Sequence, residues 1–200
     1  MADKENQELE DAQGELAGDA ELDAEAQARR RLALAQIRQY PDPVLRMQAH
    51  EVEKFDDDLR GLVRRMRQLM LDANGVGLAA TQVGVLQRVF VFRDREDEEM
   101  HTIVNPRITD RSDETEVDDE GCLSLQGVLV PVERHTSLTL EGKDENGTEL
   151  RLELEGLPAR VVQHELDHLD GTLIIERTTD EARKVALATL RPKPILTSIG

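Results

Sequence analysis

The 200-residue chain carries 42 acidic against 25 basic side chains, a formal net charge of −17, with 38% apolar residues and one cysteine. Its longest apolar runs, such as Val128-Leu129-Val130, fall far short of the ~18 residues that cross a bilayer, and the first thirty residues hold no apolar stretch of the kind that directs secretion. A lone cysteine closes no disulfide within the chain, and a polyanionic surface repels phosphate backbones and anionic membranes, so a cytoplasmic protein with no direct nucleic-acid ligand and no membrane partner is expected.

The charge is concentrated at the start. Residues 1–28 contain ten acids against Lys4, with Leu9, Leu16 and Leu22 as the large apolar groups, too little to offset the entropy of ordering. Residues 1–30 are expected to form an acidic disordered arm, 31–190 one domain and 191–200 a short C-terminal tail. In chain order, Asp56-Asp57-Asp58 can cap a helix whose apolar residues Leu59, Leu62, Val63, Met66, Leu69 and Met70 follow helical spacing to Asn74-Gly75. A glycine-rich loop at 75–84 leads to strands at 85–92 and 101–104 around a charged turn at 93–99, then to a solvated acidic connection at 110–120. Further strands are predicted at 129–132, 136–140 and 149–154, the last two joined by the hairpin signal Asn146-Gly147. Pro158 opens a helix that runs through Leu169 to Gly171, followed by a short strand at 172–175 and a helix near 180–190. The mixture predicts an α+β fold, mainly antiparallel sheets around a central metal-binding helix.

The chemistry concentrates in three stretches. In His164-Glu165-Leu166-Asp167-His168, four residues of helix advance about 400°, so the two histidines share a face and can hold one metal ion. Glu165, about 100° aside, can reach a metal-bound water and accept its proton. A hydrolytic site needs a third ligand, for which Cys122 in Glu120-Gly121-Cys122-Leu123-Ser124, the isolated His50, His101 and His135, and many carboxylates are candidates. Gly75-Val76-Gly77-Leu78-Ala79-Ala80-Thr81-Gln82 is neither a phosphate loop nor a dinucleotide fingerprint. It offers close backbone approach to an extended peptide, with Gln82 able to donate to a carbonyl oxygen that gains charge.

In this order and at these separations, the three stretches resemble the motifs of the peptide deformylases, and Arg38-Gln39-Tyr40-Pro41-Asp42-Pro43 resembles that family's first segment, so that the likeness covers about residues 32–176. It implies a metallohydrolase that removes the formyl group from N-terminal formylmethionine of nascent chains, with formate released and transient contact with the ribosome. It implies Cys122 as third ligand beside His164 and His168, and one divalent ion, Fe²⁺, with Zn²⁺ or Ni²⁺ as substitutes. Glu165 would be the catalytic base, Gln82 and the Leu123 N–H the oxyanion donors, and Val76, Gly77, Leu125, Leu157 and Val161 the lining of the methionine pocket. Two departures accompany the likeness. Leu125-Gln126-Gly127-Val128 is shorter than usual and lacks a peptide-gripping arginine, and Val132 stands where an arginine partner of Glu120 is usual, leaving Arg134 or Arg160 to substitute. Residues 177–200 carry five bases against two acids, but Pro192 and Pro194 cut short any basic docking helix. A zinc peptidase would need a downstream ligand, for which only Glu176 and Glu181 are available, and a non-catalytic metal- or nascent-chain-binding relative would need neither Glu165 nor Gln82.

Overall fold

A computed structural model describes residues 24–94 and 99–191. Most of the expected acidic arm, the centre of the turn at 93–99 and nearly all of the C-terminal tail lie outside these residues. Helix α1, Ala24–Leu34, begins inside the stretch assigned to the arm and packs Ala33 and Leu34 against helix α2, Asp57–Asp72. As the sequence predicts, Asp56 caps α2 by accepting from the Leu59 N–H, and Leu59, Val63, Met66, Leu69 and Met70 are buried.

Five antiparallel strands form the main sheet, in the order β1 (Gly77–Ala79), β2 (Val89–Arg93), β3 (Met100–Arg111), β6 (Ser137–Lys143) and β7 (Glu149–Glu155). Strand β2 shows how the sequence builds both faces. Successive side chains point to opposite sides of a sheet, so Val89 and Val91 join the core under α2, whereas Phe90 and Phe92 join the core under helix α3, Leu157–Leu169. A second, two-stranded sheet pairs β4 (Thr115–Gly121) with β5 (Leu129–His135). Val130 and Val132 of β5 pack with Leu125, Ile174 and Ile175 and with helix α4, Asp180–Thr189.

Several expectations are corrected. The glycine-rich stretch is not all loop: it supplies edge strand β1 and a 3-10 turn, Ala80–Val83, which uses the Val85 N–H to bond Ala80 O and delays β2 to Val89. Strand β3 runs well beyond residue 104, because Pro106, which has no N–H to give, falls at a shift in register between Val104 and Arg107. The acidic connection at 110–120 is largely strand β4, whose backbone pairs with β5 while its side chains face water except Glu120. A strand with one inward side chain, itself charged, carries no apolar alternation to read. Residues 172–175 find no partner strand; Ile174–Glu176 form a 3-10 turn that buries both Ile174 and Ile175.

Candidate metal centre and active site

Helix α3 begins with Pro158 in its first turn and packs Ala159, Val162 and Leu169 on the main sheet, which turns His164 and His168 toward the second sheet. There the chain leaves β4 at Gly121 and presents Cys122. Its Sγ lies 3.2 Å from His168 Nε2, and the ligand atoms of Cys122, His164 and His168 all lie within 4.8 Å of one another. Among the described residues this is the one His/Cys/carboxylate cluster that could hold a metal. His50, His101 and His135 stand apart from it; His101 stacks on Phe92 and the His135 Nδ1–H donates to Ser112 O. Glu176 is spent on Arg46 and the Leu173 N–H, so the downstream ligand a peptidase would need is not brought to the cluster.

Behind the ligands lies a buried ion network that local spacing does not reveal. His164 Nδ1 donates to Glu120 Oε2 at 3.0 Å, leaving Nε2 for the cluster. Arg134 grips Glu120 with two bonds, Nε to Oε1 at 2.9 Å and Nη2 to Oε2 at 3.0 Å, and donates to Asp167 at 2.7 Å. Arg160 Nη1 adds a bond of 3.0 Å to Glu120, and Arg177 closes on Asp167 from the far side. Thus both candidate substitutes for the missing arginine at 132 serve together. Burial pushes the Glu120 pKa up, yet the hydrogen bonds from His164 and Arg134 outweigh it and hold the carboxyl at about 2. A carboxylate so acidic is an acceptor only, which places the His164 proton on Nδ1. Burial keeps His168 well below its ordinary pKa and therefore neutral, as a ligand must be. At His164 burial is outweighed by the hydrogen bonds to Cys122 and Glu120, which raise its pKa, so that an ion would displace a proton from His164.

Glu165 is 3% exposed, and burial raises its pKa from 4.5 to about 7. Its Oε2 has no hydrogen-bond partner among the described residues. Gly77 is required beside it, because a Cβ there would sit 2.8 Å from Glu165 Cδ and overlap Oε1 more closely still. Gln82 is locked: Oε1 accepts from the Ala79 N–H at 2.9 Å, so its NH₂ must point at Ser124 Oγ, 3.1 Å away, and Cys122 Sγ, 3.7 Å away. Leu123 accepts from Gln39 Nε2 through its carbonyl, while its N–H donates to no group among the described residues. The first segment ties the motifs together, as Arg38 N donates to Gln82 O and Tyr40 N to Ser124 O; Thr81 Oγ1 joins them to α3 through His168 O.

These groups open on one cleft of about 910 Å³, lined by Val76, Gly77, Leu125, Leu157 and Val161 as well as by Cys122, His164 and Glu165. The five proposed pocket residues therefore line the same cavity, although Leu157 is 45% exposed and Leu125 is fully buried. Asp167 and Ser124 have supporting roles that the sequence did not suggest, through the bonds from Arg134 to Asp167 and from Gln82 to Ser124. Asp167 lay inside the histidine pentad and could have been found as a carboxylate on the helix face beside the ligands.

A thiolate and two imidazoles that converge on one point suit a first-row divalent ion, and the unpartnered oxygen of Glu165 beside them suits a proton acceptor for bound water. Fold and site define a metal-dependent hydrolase. Residues 34–184 match the model of the polypeptide deformylase family. A peptide deformylase of Clostridium botulinum is 48% identical over 148 residues, which cover 74% of this chain and 99% of that protein. One of Acidothermus cellulolyticus is 46% identical over 160 residues, covering 80% and 87%. Among solved structures, the peptide deformylase of Ehrlichia chaffeensis in complex with actinonin superposes with a TM-score of 0.75 at 35% identity, covering 78% of this chain and 94% of that one. That of Legionella pneumophila gives 0.73 at 38% identity, covering 77% and 91%. The chain belongs to the polypeptide deformylase family, hydrolases that remove the formyl group from N-terminal formylmethionine.

Proposed function

We propose that the chain deformylates nascent polypeptides in the cytoplasm, in transient contact with the ribosome, through an ion held by Cys122, His164 and His168, with Fe²⁺ the native metal and Zn²⁺ or Ni²⁺ able to replace it. When bound, the ion supplies Lewis acidity toward the formyl oxygen and acidifies water in its shell. The protein's residues do the rest. Glu165 accepts a proton at its free oxygen and passes it to the departing amine; a carboxyl titrating near 7 suits both directions of transfer. The Gln82 NH₂ and the Leu123 N–H donate to the formyl oxygen as negative charge gathers on it. Strand β1 ends the main sheet, so its outer edge offers backbone groups to an extended peptide. Val76, Gly77, Leu125, Leu157 and Val161 take the methionine side chain.

The observation that carries this reading is the buried carboxyl of Glu165, its Oε2 without a hydrogen-bond partner among the described residues, against the Cys122-His164-His168 cluster. Release of formate from formyl-Met-Ala-Ser by protein loaded anaerobically with a single defined metal tests it, with peptide-bond cleavage followed in parallel. Formate without new amino termini from internal bonds is the expected result. Internal cleavage would mean a peptidase, and absence of both a non-catalytic relative. Comparison of the Fe²⁺, Ni²⁺ and Zn²⁺ forms, with metal content of protein purified without air, addresses the native ion.

A further inference from the structure

The family match begins at Leu34, the last residue of α1, so the rest of this helix lies outside the residues matched by the family model. It nevertheless lines the cleft, through Arg30 and Leu34, in the same cavity as Cys122, His164 and Glu165. Two arginines line that cavity. Arg160 is committed to Glu120, Val132 O and Glu116 O. Half-buried Arg30 uses only its Nε, in a bond of 3.4 Å to Ala73 O, and no other hydrogen bond or ion pair holds its guanidinium among the described residues. Its two terminal NH₂ groups, at the cleft wall, bond none of the described residues. The segment from Leu125 to Leu129, on the opposite wall, brings no cation.

We propose that α1 is a wall of the substrate cleft and that Arg30 is a specificity-determining residue, donating to main-chain carbonyl oxygens of the nascent chain downstream of the formylmethionine. The inference rests on the deformylase reading and adds where the rest of the polypeptide goes. Position follows from the backbone. Gly77 touches the Glu165 carboxyl and Ala73, the anchor of Arg30, lies four residues earlier. At roughly 3.3–3.6 Å per residue the two are at most ~14 Å apart, which an extended peptide along β1 spans in about four residues. Arg30 is thus within reach of substrate residues up to about the fifth. A cavity of about 910 Å³, near the upper end of the ~300–1,000 Å³ typical of small-ligand sites, leaves room for them.

The test compares formyl-Met-Ala with formyl-Met-Ala-Ser-Ala-Ala in the metal-loaded enzyme. The longer peptide is expected to have the higher kcat/KM, through KM, and Arg30→Ala should shrink that advantage about tenfold with kcat little changed, Arg30→Lys restoring part of it. An equal loss on both peptides, or a loss that follows the melting temperature, would mean that Arg30 merely anchors α1 and would overturn the proposal, as would an undiminished advantage. Direct binding of the two peptides to metal-loaded Glu165→Gln protein, with and without Arg30→Ala, reads the same contact without turnover. Length-dependent binding that needs Arg30, in a protein whose metal-loaded form with Glu165 intact releases no formate, would sink the deformylase reading and leave the Arg30 contact standing.

Discussion

On the β1 side of the cleft, backbone is positioned by apolar packing: Leu78, Ala79 and Ala80 are fully buried, and Leu78 and Ala80 share their core with Met66 and Met70 of α2. On the β4–β5 side it is positioned by charge, with Glu120 held between His164, Arg134 and Arg160, and Arg134 in turn tied to Asp167. The two kinds of wall suit different tasks. Apolar packing is non-directional and insensitive to protonation, sufficient to hold the backbone of Gly77 and Gln82 in place, with the Gln82 amide then oriented by the Ala79 N–H. Setting the plane and proton of a metal-ligating ring requires directional bonds, and these depend on every partner's charge.

Glu165 sits where the walls meet, so Glu165→Gln should have the largest effect. The amide keeps the shape but accepts no proton, and turnover should fall by about 10²–10⁴ while metal content is retained. Near-normal turnover, or loss of the ion as measured by elemental analysis, would remove Glu165 from its assigned role. The pH profile sharpens the point. Glu165 is active when ionised, so kcat/KM should rise with pH through an acid limb at or below about 7, since a bound cation can only pull a neighbouring carboxyl down from that value.

Gln82→Ala probes the apolar wall. The locked amide contributes a donor whose bond strengthens as charge develops, worth about 2.7–4 kcal/mol, so kcat should drop roughly 10²–10³-fold with KM much less affected. A change confined to KM would reassign Gln82 to substrate positioning.

Glu120→Gln probes the charged wall, with the smallest effect on chemistry and a distinct signature in stability. Metal affinity should weaken about 10–100-fold as the His164 ring loses its acceptor, and unfolding should cost about 3–5 kcal/mol less because Arg134 is left buried with one partner fewer. Glu120 has a folded pKa of about 2 against an ordinary 4.5, so its contribution is present above pH 4.5 and is lost as pH falls toward 2. Denaturant titrations of wild type and variant between pH 3 and 7 should therefore draw together toward the acid end, without yet meeting at pH 3. Parallel curves would contradict the network's role.

What could be read directly from the chain was local. The spacing of His164 and His168, the Asp56 cap, Pro158 in the first turn of α3 and the Asn146-Gly147 hairpin each depend on neighbours within a few residues, where backbone geometry leaves few choices. Strand β4 was illegible because its pairing partner β5 lies beyond a turn and its outward side chains are charged on both faces. The partners of Glu120 stand 14, 40 and 44 residues away at Arg134, Arg160 and His164, so no window of sequence contains them. The groups that the Gln82 NH₂ meets, Ser124 and Cys122, likewise lie 42 and 40 residues away, and the place of Arg30 comes from the packing of α1 on α2. Short-range sterics decide helices, caps and turns from the chain alone, whereas hydrogen bonds between charged groups form only where folding has already removed water and brought distant segments within about 3 Å.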